Sequence, residues 1–575
     1  MSLRMRIALL GILALLAALV ILLAAQAFLA RQAALDLRSD VTALEAALKS
    51  GDLPGAQDAL DQATDEAERV QTFTTGPHWA LAARMPGVGA QVTTARSVAA
   101  AVEAVAPAAD SLLTWAIPLQ ASGARAPDGR IDVEALAAAA PQLTDAAAAM
   151  RDAERELEPA ADDPQIDQAR DQLARGARLL DRAASGAQHL PALLGVDGPR
   201  TYAVLLQNIA EIRGSGGLVG AYALITADDG RITLDEAAAR KDGLDGETIP
   251  FEQIADEGEI ATWGRDLASW PDYNLSLDFP LTARLTAAGM AARDTPVDGV
   301  IALDARVVSG LLAGTGPIEE SGARLTRDNA EAFFTRDIYA KVPDVEAKDT
   351  LTVRLLQAVL DRSLSGQIDA FALLGALIDP VEQGRLRVWV DDPQVEKWLL
   401  TTPFSGALPD EPGPYVGIAL NNAAGSKMDA YLDLDVRYRY PTCPTVPAEP
   451  NGESTLDVIL GNTAPVDLPD YVSIRLDQPD APTGSTSLLV HVYGPQGASL
   501  QRATLDGHGE SFTSTEEGGH PVWGFYVELD RGQERRLRLT FSEPVVEGAS
   551  PVVDLPPLQT DPRAWAHARP CPSSE

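Results

Sequence analysis

Histidine, cysteine, lysine and aromatic residues are all scarce in this 575-residue chain, and each scarcity narrows the chemistry open to it. The six histidines, His78, His189, His491, His508, His520 and His567, are scattered without ligand spacing, which excludes a zinc site of the His-Glu-x-x-His kind. No Walker-type phosphate loop is present. The turn Gly214-Ser215-Gly216-Gly217 begins like a dinucleotide-binding loop, but Val219 stands where the third glycine is required, so no nucleotide partner is expected. Ser215 lacks the elbow of glycines that exposes a nucleophilic serine, and no histidine lies near it in the same predicted domain.

Positive charge is short as well. A formal net charge of −36 repels a nucleic-acid backbone and disfavours adhesion to an anionic membrane through a basic patch, so no nucleic acid is expected as a partner. Only six lysines accompany forty arginines, and with the abundance of alanine this bias suggests a GC-rich genome rather than an activity. The two cysteines, Cys443 and Cys571, both fall in the last quarter of the chain, where a disulfide between them is expected if the region is exported.

Long hydrophobic runs are limited to one. Arg4 and Arg6 precede an apolar run from Ile7 to Ala30 whose only polar side chain is Gln26. As a helix this run spans about 36 Å, enough for one membrane crossing. A cleaved signal peptide is the competing reading, because Ala25-Gln26-Ala27 has the small-x-small form, but cleavable apolar regions are normally shorter, roughly 7–15 residues. A signal anchor in the cell membrane is therefore expected, single-pass, with a cytoplasmic N-terminus and the bulk of the chain extracytoplasmic; Arg31 and Arg38 on the far side weaken the charge bias.

Beyond the anchor, residues 31–189 are Ala-rich with apolar positions at helical spacing, such as Leu35, Val41, Leu44 and Leu48, and predict a helical stalk or bundle. Residues 190–440 mix short apolar strands with helices and predict an α/β domain. Residues 441–575 alternate over Leu456–Leu460, Val472–Leu476, Leu488–Tyr493, Gly524–Leu529 and Arg536–Phe541, with Gly, Pro and Asp between, which predicts a β-sandwich. The expected fold class is thus a multidomain α+β protein.

Within the central region, the stretch Tyr202–Tyr222 sets Gln207, Asn208, Glu211, Arg213 and four glycines where a core strand should continue, a local inconsistency of the kind that marks function. Glycines 214–220 read either as a tight loop with close packing or, beside Arg213, as a backbone nest for phosphate. This pattern, with Gly216, Gly217, Gly220 and Tyr222, resembles the domain of unknown function 4012 family. The resemblance continues through Trp263 and Arg265–Pro271, Asp304–Pro317 and Asn421–Tyr431, covering roughly Leu190–Tyr440.

A more distant resemblance, carried by Val297–Leu325, Thr326–Ala332 and Asp349–Leu364, is to the LytR-CpsA-Psr domain. Those are membrane-anchored enzymes that transfer glycopolymers from polyprenyl pyrophosphate to the cell wall. Here Thr315-Gly316 replaces their paired glycines, and Arg336-Asp337-Ile338-Tyr339 replaces their Arg-x-Arg; the following helix offers Arg354 and Gln357.

If that chemistry operates, phosphoryl transfer needs cations, a metal-holding carboxylate and a group that orients the acceptor. The catalytic candidates are Asn208, Glu211, Arg213 and Asp304, each of which also reads as a structural polar contact or ion pair. Gly216, Gly217, Arg265, Arg354 and Lys427 are the candidate substrate contacts, and Asp266 is the candidate metal ligand, with magnesium as the metal. Lys427 stands out because lysine is so rare, although a hairpin lysine is the plain alternative. Trp263, Trp270 and Tyr273 read as core aromatics or as sugar-stacking platforms. The resulting expectation is an envelope protein that binds or transfers a polyprenyl-linked or phosphorylated glycopolymer. A non-catalytic scaffold that binds a wall polymer or a partner protein is the alternative.

Overall fold

The computed structural model describes residues 28–48, 50–75, 79, 83–84, 89–126, 129–160, 164–243, 249–365, 370–443 and 450–569. The expected anchor lies outside these residues except for its last three, and so does Cys571. The chain is α+β and forms two compact units, Met1–Ala192 and Leu193–Glu575.

The first unit is helical. Residues 28–48 are followed by α1 (Leu53–Thr74), α2 (Gly89–Ser122), α3 (Ala139–Leu157) and α4 (Pro164–Leu193). The α1 start follows from its sequence: Asp52 accepts from Gly55 N at 3.0 Å, and a Cβ on Gly55 would sit 2.3 Å from that carboxylate. The helices meet through alanines, which permit close approach, with Ala33, Leu37, Ala63, Ala67, Val70 and Ala99 in one buried cluster. Contrary to the expectation of a single long apolar run, α2 is also long and apolar enough to cross a membrane, alone among the described residues and weak evidence for membrane association. Its Asp110 and Glu103 accept hydrogen bonds from Gln57 and Gln71 of α1, each at 2.7 Å.

The second unit opens with strands β1 (Arg200–Arg213), β2 (Gly216–Asp228), β3 (Arg231–Ala239) and β4 (Gly299–Asp304), then a small hairpin of β5 (Ile318–Glu320) and β6 (Ala323–Leu325), then β7 (Leu386–Val390). Apart from the hairpin they form one sheet in the order β3-β2-β1-β4-β7, in which only β1 and β4 run parallel. The run Ala203–Leu206 is buried throughout, as a central strand covered on both faces should be. Helices α5 (Phe279–Ala291), α6 (Ala305–Thr315), α7 (Val345–Ser365) and α8 (Ala370–Glu382) belong to this part. Trp263, Trp270 and Tyr273 are buried in its main apolar core with Phe279 and Leu281 of α5, the plain reading of those aromatics.

The C-terminal region is rich in sheet. Strands β8 (Tyr415–Asn422), β9 (Leu432–Pro441), β10 (Asn451–Asn462), β11 (Thr486–Tyr493), β12 (Ser499–Leu505), β13 (His508–Gly509), β14 (Thr513–Glu517), β15 (His520–Leu529), β16 (Glu534–Pro544), β17 (Val552–Asp554) and β18 (Arg563–Arg569) make two sheets, β13-β12-β16-β10-β9-β18 and β14-β15-β11-β8-β17. The two share one apolar core that includes Val416, Val436, Val458, Val490, Phe525 and Leu539. Strand β8 and nearly all of β9 precede the boundary expected at 440/441. The expected strand Val472–Leu476 is absent, replaced by a helical turn at Asp470–Ser473. Its alternation is misleading, because Ser473 and Arg475 are buried while Ile474 and Leu476 are exposed. Cys443, next to β9, is disulfide-bonded.

Candidate functional site

The site begins with an interruption in β1. Its antiparallel pairing with β2 runs to Asn208 opposite Leu218 and resumes only at Ile212 opposite Gly217, so Ile209, Ala210 and Glu211 bulge from the ladder. A bulge re-aims side chains, and here it puts Glu211 into a cleft. Polar side chains hold it: Asn208 Oδ1 accepts from Ala210 N at 3.0 Å, and Asp429 Oδ2 accepts from Ile212 N at 2.9 Å. Ile212 packs into the core of the C-terminal sheets, so the end of β1 is anchored outside its own sheet.

The glycines after the bulge serve close packing. A Cβ on Gly217 would lie 2.3 Å from the Asn208 backbone, and one on Gly214 would lie 2.0 Å from Leu275 O. Gly216, at φ +140°, would meet the Gln207 side chain at 1.9 Å. Gly214 N donates to Asn421 Oδ1 at 2.9 Å and Ser215 N to Asn274 O at 3.2 Å. The turn therefore spends donors on the protein, and Gly216 and Gly217 do not line the cleft as expected of substrate contacts.

The cleft has a volume of about 390 Å³. Asn208, Glu211 and Arg213 reach it from β1, Arg240 and Lys241 from the turn after β3, Lys348 and Asp349 from α7, and Lys427 from the segment after β8. Five cationic side chains thus face two carboxylates in a chain of net charge −36. Glu211 is the hub: it pairs with Lys427 and, at 3.3 Å, with Arg213, whose Nε lies 3.7 Å from Asp272. Burial alone would raise the Glu211 carboxyl, but the Lys427 ammonium and the Arg213 guanidinium hold it below its ordinary value.

Aromatic hydroxyls complete the wall. A turn of π-helix, Phe333–Asp337, leads into Tyr339. Asn208 Nδ2 donates to Tyr339 Oη at 2.7 Å and to Phe334 O at 3.3 Å. Lys348 Nζ donates to Tyr471 Oη at 2.9 Å, sits 4.3 Å from that ring's centroid and lies 5.4 Å from the Tyr339 centroid. Burial raises the Tyr339 phenol well above its usual value, with Tyr471 and Glu211 adding to the effect, so it stays protonated as a donor.

Four more sequence candidates lie elsewhere. Asp304 is buried as the N-cap of α6, accepting from Arg306 N at 2.9 Å and from Arg385 Nη1 at 2.6 Å, which is its plain ion-pair reading. Arg354 is exposed and donates to Ser321 Oγ at 3.0 Å; two residues beyond the cleft-lining Thr352, it points from a different face of α7. Arg265 and Asp266 are exposed on the turn Gly264–Ala268, and no group of three His, Cys, Asp or Glu able to hold a metal occurs among the described residues. Lys241, Lys348 and Tyr471 went unnoticed in sequence. The scarcity that marked Lys427 applies equally to the two lysines, since three of the chain's six line this cleft.

Asp429 behind the bulge has a measurable signature. Burial pushes its carboxyl up to about 7, against the bonds from Asn422 and Ile212 that favour the anion. A carboxyl raised in the folded state binds its proton more tightly there than in the unfolded chain, at about 3.9. Its contribution is therefore full below about pH 4, declines towards pH 7 and stays lost above. Asp429→Asn is expected to stabilise the unit by on the order of 1–3 kcal/mol at pH 8 and to change little at pH 4. Urea midpoints of both proteins at the two pH values check this; a loss of stability at pH 8 would contradict it.

A comparison with curated proteins and with solved structures finds no match. Residues 197–339, which carry β1, β2, β4 and the Asn208–Arg213 bulge, match the family model described as a protein of unknown function (DUF4012).

Proposed function

We infer that the cleft binds the phosphate or pyrophosphate of a polyprenyl-linked or otherwise phosphorylated cell-envelope glycan. The observation that carries this reading is the gathering of half the chain's lysines, with Arg213 and Arg240, around one cleft of a strongly acidic protein. Such a cleft focuses positive potential where the rest of the surface repels anions. Apolar groups beside the cations suit a lipid-linked ligand: Val345, Tyr471 and Leu476 line the cleft and are 45%, 45% and 74% exposed. The distant LytR-CpsA-Psr resemblance points to the same ligand class, and the bonded Cys443 agrees with an exported location.

Binding is better supported than transfer. Glu211, held ionised by two cations, is a weak general base, and Asp304 and Asp266 stand away from the cleft. The scaffold reading draws on one observation, that Glu211, Arg213 and Lys427 already satisfy one another. Titration of the full chain in detergent with a polyprenyl pyrophosphate analogue, with and without magnesium, separates the two. Lys427→Ala is expected to weaken binding about tenfold or more, as loss of a charge-assisted contact should. An analogue that does not bind, or binds both proteins alike, favours the scaffold.

A further inference from the structure

A second cavity, of about 370 Å³, lies between the edge strand β7 and the segment around β17. Arg387 of β7 and Arg385, which immediately precedes the strand, both line it. Their circumstances differ. Arg385 is fully engaged, with Nη1 on Asp304 at 2.6 Å, Nε on Gln383 at 2.9 Å and Nη2 on Leu558 O.

Arg387 is 4% exposed, yet only its Nε is hydrogen-bonded, to Gly384 O at 2.9 Å. Among the described residues neither Nη1 nor Nη2 has an acceptor, and no ion pair forms. Two glycines make room for the guanidinium: a Cβ on Gly406 (φ +56°) would lie 1.6 Å from Nη1, and one on Gly384 (φ +67°) 2.6 Å from Nη2. The guanidinium is thus held in place while its fork opens onto the cavity.

Asp554 lines the same cavity, and among the described residues its carboxylate has no hydrogen-bond partner. Burial raises it while Arg387 opposes the shift, so the two charges sense each other without touching. Asp561, by contrast, is paired with Arg306, and Ser405 Oγ donates to Thr402 O at 3.2 Å. Much of the remaining wall is proline, at Pro403, Pro556, Pro557 and Pro562, which offers no N–H.

We propose that this cavity is a second binding site, for a small zwitterion of the amino-acid type whose carboxylate takes the two open Nη groups of Arg387 and whose ammonium faces Asp554. The fork of a guanidinium matches a carboxylate in two parallel bonds, and the volume is at the small end of ligand pockets. Recognition requires both charges, which sets this ligand apart from the simple anions that Arg387 alone would take.

Calorimetric titration of the full chain with glycine, alanyl-alanine, acetate and methylammonium tests it. At least one zwitterion is expected to bind about tenfold or more tightly than acetate or methylammonium. Asp554→Asn should bring that zwitterion down to the level of acetate, and Arg387→Lys should weaken both, with circular dichroism verifying that each variant is folded. The wild-type comparison stands even if Arg387→Lys does not fold. Acetate binding as well as the zwitterions, no binding by any probe, or a zwitterion preference that survives Asp554→Asn would each overturn the proposal.

Discussion

Glu517→Ala is expected to lower the stability of the Leu193–Glu575 unit by about 3–5 kcal/mol, because it would orphan three buried donors, each worth roughly 1–3 kcal/mol when left unpaired. Glu517 ends β14, where it accepts from Trp263 Nε1 at 2.9 Å, Tyr493 Oη at 2.7 Å and Ser276 Oγ. Trp263 and Ser276 come from the part built on the β1 sheet, and Tyr493 from β11, so this carboxyl ties the two parts together. Burial raises it to about 7. Urea unfolding followed by tryptophan fluorescence would measure the loss, and Glu517→Gln, which keeps one acceptor, should fall between wild type and alanine. A loss under about 1 kcal/mol for alanine would mean that the donors find other partners.

Arg385→Ala is expected to cost about 3–5 kcal/mol, since it strands the Asp304 carboxylate in a buried site. The side chains of this pair are 1% and 3% exposed, and Asp304 also caps α6. The comparison that isolates the pair is Arg385→Met with Asp304→Asn. Asparagine keeps the cap and removes the charge, so the double variant should recover much of the loss. A double variant no more stable than Arg385→Ala would show that the guanidinium's bonds to Leu558 and Gln383, not its charge, matter most.

The sequence disclosed the elements with strong periodicity and the family segment, and it disclosed half of the cleft. Asn208, Glu211, Arg213 and Lys427 were visible because each breaks a local rule: polar groups in a core strand, or a lysine where arginine is the habit. Lys348 shares the scarcity of Lys427 but sits on a helix with no unusual neighbours, and Tyr471, two residues after Pro469, looks like solvated surface. Only the tertiary arrangement puts Lys348 Nζ against the Tyr471 ring. Asp304 and Arg354 lie away from the cleft for the opposite reason. Residue type suited them to phosphate chemistry, but a carboxylate just before a helix is first of all a cap, and helical phase turned Arg354 away. Val472–Leu476 shows the limit of alternation, which cannot say which set of side chains lies inside.

The three-residue bulge of β1 has a consequence for modularity. The amide of Ile212, the residue that follows it, is held by Asp429, the Ile212 side chain sits in the core of the C-terminal sheets, and Lys348, Lys427 and Tyr471 all lie beyond residue 339, where the family match stops. The recognisable segment therefore encodes one bank of the cleft and borrows the other. Grafting or recombining residues 197–339 as a cassette would carry the matched segment without the far bank of the cleft, so the stretch that encodes the whole cleft is the longer one from β1 to Leu476.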